Sequence, residues 1–194
     1  MSGNAEKGKL VIISGPSGVG KSTICSEIVK KSKAMLSVSV TTRPRSKEEV
    51  DGRDYWFVST EEFEEKLEKG EFVEHAEVFG NLYGTPRDKL EQALSKGKNV
   101  ILEIDVQGAL IVKEQYPEAV MIFIMAPSQS VLAERMGKRG RGEDSETAKR
   151  RLDAAGREVA AAWQYYDQMV INDDLEQAVE EITRIIEGKA EKKK

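Results

Sequence analysis

Residues 15 to 22 read Gly-Pro-Ser-Gly-Val-Gly-Lys-Ser, a spacing suited to holding phosphate. Gly15, Gly18 and Gly20 strip side chains from a short loop, so backbone N–H groups can wrap an anion with no Cβ in the way. Lys21 then brings a point charge that reaches the outer phosphates of a nucleotide. The Ser22 hydroxyl is a hard oxygen ligand for Mg²⁺. Pro16, Ser17, Val19 and Thr23 complete the loop and the turn after it. The stretch fits G-x-x-x-x-G-K-[ST], and its context fits too: an apolar run leads in and a helix-period segment leads out. A helix starting there points its positive end at the same anion.

A second candidate is "VILEIDVQG", residues 100 to 108. Read as a buried strand, it places Glu103 and Asp105 on one face near its carboxyl end. Ligands of open α/β sheets bind at that edge, and Mg²⁺ needs carboxylate near the phosphates. The plain alternative is a polar strand end that meets solvent.

These groups need a scaffold, and the rhythm of the chain describes one. Lys9–Ser14, Asn99–Val106, Ala119–Met125 and Met169–Ile171 are short, nearly continuous apolar runs. Strands buried on both faces of a parallel sheet read this way. Helical patterns lie between them, at Lys21–Lys31, Pro86–Lys96, Gln129–Met136, from Ser145 to about Trp163, and at Leu175–Glu187. Thr85 is placed to cap the second of these, with proline at its first position and Gly97 at its stop. Strand–helix alternation predicts an α/β fold with a parallel sheet flanked by helices. Residues 37–84 break the rhythm. "SVSVTTR" and "DYWFVS" read as short antiparallel strands, followed by a helix that Ser59 and Glu62 open with a capping box and Gly70 ends.

The 194 residues suit one domain, and 39% apolar residues are enough for a core. A net charge of −4 gives no footprint for nucleic acid. One cysteine and one histidine exclude an internal disulfide and a cysteine-based zinc site. Leu10–Ile13 is too short for a signal-peptide core or a membrane span, so no membrane role is expected and the cytoplasm is the default location.

In order and spacing, "GPSGVGKST", "SVSVTTR", "VDGRDYWFVS", "GEFVEHAEVFGNLYGT", "VILEIDVQGA", "RRLDAAGREV" and "VINDDL" resemble the guanylate kinase family across nearly the whole chain. The resemblance implies a phosphate-loop (P-loop) kinase core, about 8–36, 86–127 and 164–190. It adds a GMP-binding insertion, about 37–85, and a helical lid, about 128–163. The implied reaction moves the γ-phosphoryl of ATP to GMP, and to dGMP as well, with Mg²⁺ as cofactor. The protein would act as a monomer or homodimer.

Residue by residue, the resemblance puts guanine on Ser39, Glu74 and Asp105, with Glu103 beside them. The chemistry agrees: guanine presents N1–H and an amino group side by side, and one carboxylate accepts both. The GMP phosphate falls to Arg43, Arg45, Tyr55 and Tyr83, with a hydroxyl contact from Thr85. Arg135, Arg139 and Arg151 of the lid join Lys21 and Arg43 in stabilising the transferring phosphoryl, as arginines do. Asn172 is implied near the adenine of ATP. One departure stands out. The family has a second arginine three positions after the first, and this chain has Ser46 there, with Arg45 one position early. His75 also replaces a common large aromatic.

Three other readings remain open on sequence alone. Domains of this kind also serve as non-catalytic protein-binding modules. Other phosphoryl acceptors share the phosphate loop. A P-loop GTPase would need N-K-x-D, which "NDDL" lacks.

Overall fold

The apolar run that precedes the glycines becomes strand β1 (Leu10–Ser14), all five residues of which are buried. A strand with no solvated face needs neighbours on both edges and cover on both sides. The computed structural model, which describes residues 7–78, 80–138 and 145–189, supplies them. After β1 come α1 (Lys21–Lys31), β2 (Met35–Leu36), β3 (Val40–Thr41), β4 (Trp56–Phe57), α2 (Thr60–Glu68), β5 (Phe72–Val78) and β6 (Asn81–Pro86). Then follow α3 (Arg87–Ser95), β7 (Val100–Glu103), α4 (Val106–Gln115), β8 (Val120–Met125), α5 (Gln129–Lys138), α6 (Ser145–Tyr165), β9 (Gln168–Ile171) and α7 (Leu175–Ile186).

β1 is the middle of a parallel sheet ordered β2-β7-β1-β8-β9. Alternate residues of its strands face opposite layers. Val11, Ile13 and Ile124 meet Ile24, Cys25 and Ile28 of α1 and Val179 and Ile182 of α7. Leu10, Ile12 and Leu102 meet Leu90 of α3 and Ala109 and Val112 of α4. Among the described residues, no helix is long and apolar enough to cross a membrane.

A second sheet, ordered β4-β3-β6-β5, rests on its own small core. Phe63 of α2 stacks on Phe72 of β5 at 4.6 Å, and Val40 joins them. α2 opens as its sequence demands. Ser59 Oγ accepts from Glu62 N at 3.2 Å, and Glu62 Oε2 accepts from Ser59 N at 2.9 Å.

Several expectations need correction. β3 and β4 pair in parallel rather than antiparallel, and β3 takes its antiparallel partner, the hairpin strand β6, on its other edge. That hairpin, β5–β6, was not evident in the sequence. The expected strand through Val106 stops at Glu103, and Asp105 leaves it to cap α4, a helix hidden in a continuous apolar run. Glu103 and Asp105 therefore share no strand face. Thr85 does not cap α3. It stays in β6, and Pro86 is the N-cap, with no side-chain hydrogen bond.

Candidate active site

The loop of residues 15–20 leaves the carboxyl end of β1 and runs into α1. Gly20 has φ +98°, and a Cβ there would stand 2.8 Å from Asn172 Nδ2, so both backbone and space require glycine. Lys21 Nζ donates to two carbonyls of its own loop, Gly15 O at 2.6 Å and Pro16 O at 3.1 Å. Ser22 Oγ donates to Glu103 Oε1 at 2.8 Å. A hydroxyl and a carboxylate oxygen so close, at the foot of an anion-binding loop, are the hard donors that Mg²⁺ takes.

Asn172 follows β9 and is buried. Its Nδ2 donates to Val19 O at 2.8 Å, and its carbonyl accepts from Arg135 Nη1 at 2.9 Å. The side-chain amide thus braces the phosphate loop from below, and Arg135 ties α5 to the same point. Asn172→Ala leaves the Val19 carbonyl without this donor, and should cost about 1–3 kcal/mol of stability by urea denaturation.

On the second sheet, Arg43, Tyr55 and Tyr83 come together. The tyrosine rings meet edge to face at 5.9 Å, and the guanidinium lies 5.4 Å from the Tyr55 ring. Burial pushes the Tyr55 phenol up to about 12, with the charge of Glu103 adding to the shift. Arg43 also holds a partner that sequence reasoning missed. Its Nη2 donates to Glu49 Oε1 at 2.5 Å and its Nη1 to Oε2 at 3.1 Å. That bond draws the Glu49 carboxyl down to about 2. Ser46 N donates to Glu49 Oε2 at 2.9 Å, so the residue in the second-arginine position serves the first arginine through Glu49. Arg45 is exposed.

Glu74 projects from β5 and is only 5% exposed. Thr85 Oγ1 donates to its Oε1 at 2.5 Å, which is the work of the hydroxyl expected to cap α3. Burial raises the Glu74 carboxyl to about 7, and the charge of Asp105 pushes the same way. Asp105 Oδ1 accepts from Gly108 N at 2.9 Å, starting α4. Ser39 is also buried, and its carbonyl accepts from Trp56 N. Glu158 of α6, not singled out by sequence, lies within electrostatic reach of Lys21 and Asp105, and burial raises it. Arg139 lies outside the described residues, as does the side chain of Arg151.

The structure thus sets a glycine-rich loop at the end of one sheet, and a buried acid and an arginine–tyrosine cluster on the other. Comparison with known proteins agrees with that pairing. The family model for guanylate kinase matches residues 7–189. A guanylate kinase of Clostridium tetani is 48% identical over 181 residues, covering 93% of this chain and 86% of the relative. One from Carboxydothermus hydrogenoformans is 45% identical, covering 93% and 88%. The crystal structure of guanylate kinase from Anaplasma phagocytophilum superposes with a TM-score of 0.80 at 37% identity, covering 94% of this chain and 86% of that one. With the phosphate loop, the buried acid and the matched length all in place, the chain belongs to the guanylate kinase family.

Proposed function

We propose that the protein transfers the γ-phosphoryl group of ATP to GMP, giving ADP and GDP. The observation that carries this reading is the buried Glu74, held by Thr85 and faced by Asp105, on the sheet that also gathers Arg43, Tyr55 and Tyr83. An ionised Glu74 accepts from N1–H and the amino group of guanine at once, while adenine offers no N1–H to it. The arginine and the two tyrosine hydroxyls take the GMP phosphate. The same contacts admit dGMP, because none of them uses the 2′ position.

ATP lays its phosphates along the amides of residues 15–20, and Lys21 moves from the loop carbonyls to the outer phosphates. Ser22 and Glu103 would hold Mg²⁺, which neutralises β- and γ-phosphate charge when bound. No strong base is needed, since the attacking phosphate oxygen is already ionised. The chain positions two anions in line and offsets the charge that builds between them, with Arg135, Arg139 and Arg151 assigned to that task. Exclusion of water protects the phosphoryl group from hydrolysis.

An ADP-release assay with ATP, Mg²⁺ and each of GMP, dGMP, AMP, UMP and dTMP tests the reading. GMP should be preferred, and a preference for AMP or UMP overturns it.

The carboxyl of Glu74 gives the site a pH dependence. Its folded value is about 7 and only the ionised form accepts both guanine hydrogens. The ionised fraction rises about tenfold between pH 6 and pH 8, and affinity should rise with it. Guanosine, which has no phosphate of its own to titrate, should inhibit about tenfold more tightly at pH 8. Glu74→Gln should flatten that profile.

A further inference from the structure

Gly108 is a glycine that its own helix does not need. It lies in the first turn of α4 and is not among the positive-φ glycines. At such a position alanine is favoured by about 1 kcal/mol. What excludes alanine is a neighbour from another sheet. A Cβ on Gly108 would stand 2.5 Å from Glu74 Oε2, 3.0 Å from Glu74 Cδ and 3.3 Å from Asp105 Oδ1. The tip of Glu74 cannot simply swing aside, because its other oxygen is held by Thr85 at 2.5 Å in a buried site. The N–H of the same glycine holds Asp105.

We propose that Gly108 is a positioning residue for base recognition: its missing side chain lets the Glu74 carboxylate sit against the first turn of α4 while its amide fixes Asp105. Both acids assigned to guanine are thereby set by one residue. This inference rests on the reading of Glu74 as the guanine acceptor.

Gly108→Ala tests it. A methyl group displaces the carboxylate by about 1 Å, and misplacement of that size costs about 10–10²-fold. KM for GMP should rise by at least about tenfold, with KM for ATP changed by less than about twofold. Preference for GMP over inosine monophosphate, which keeps N1–H but lacks the amino group, should fall. The decisive arm is Glu74→Asp. In the parent chain it shortens the acid and should weaken GMP binding. In the Gly108→Ala background the shorter acid clears the methyl group and should restore part of the loss. Should Gly108→Ala fail to fold, Glu74→Asp must restore folding for the same reason.

An unchanged KM for GMP in Gly108→Ala overturns the proposal, as does equal damage by Glu74→Asp in both backgrounds. If instead Glu74→Gln leaves GMP preference intact in the parent chain, the guanine assignment of Glu74 itself fails.

Discussion

Lys21→Ala should lower kcat about 10²–10³-fold, equivalent to about 3–4 kcal/mol of transition-state stabilisation. Charge accumulates on the transferring phosphoryl only as the reaction proceeds, so a cation aimed there acts more on the barrier than on binding. Lys21 is suited to this because its ammonium rests on Gly15 O and Pro16 O, within the loop that would hold the phosphates. Its travel to a bound anion is short, and it leaves neutral carbonyls for charged oxygens. KM for ATP should change far less than kcat, since the loop amides remain. Steady-state kinetics at saturating GMP separate the two. Near-normal kcat in Lys21→Ala would contradict the assignment.

Glu74→Gln should reduce the discrimination of GMP over AMP by about 10²-fold or more. A carboxylate accepts through two oxygens. The amide keeps one acceptor and presents a donor to a base that also donates, leaving a buried pair unmatched. Stability should move the other way. Burial raises the Glu74 carboxyl from 4.5 to about 7, so the folded chain favours its protonated form. The stability this contributes is complete below about pH 4.5 and is lost as pH rises through 7. Glutamine never ionises and its Oε1 can still accept from Thr85. Thermal unfolding at pH 8 should therefore show Glu74→Gln at least as stable as the parent. A variant that loses both selectivity and stability at pH 8 would point to a structural role for the acid.

The parts of this site that depend on neighbours in sequence were legible without coordinates. The phosphate loop is one: glycines, lysine and serine stand within eight residues and announce their own geometry. The capping box at Ser59 and Glu62 is another. The rest depends on contacts across the fold. Helix α4 was hidden because its apolar residues continue those of β7 without a break in pattern, and only Asp105 marks the change. Glu74 reads as one acid among several in "GEFVEHAE", and burial alone sets it apart. Glu49 sits six residues from Arg43 in a segment with neither helical nor strand period, so no spacing rule links them. Thr85 looked like a cap because a proline follows it; the hydroxyl found a buried carboxylate instead.

Cys25, packed without exposure between β1 and α7, carries the chain's single sulfhydryl in the helix that follows the phosphate loop. Oxidants and alkylating reagents can meet that sulfur only after α1 lifts from the sheet, an event that would dismantle the anion cradle as well. Chemical inactivation through this atom is thus tied to unfolding rather than to turnover.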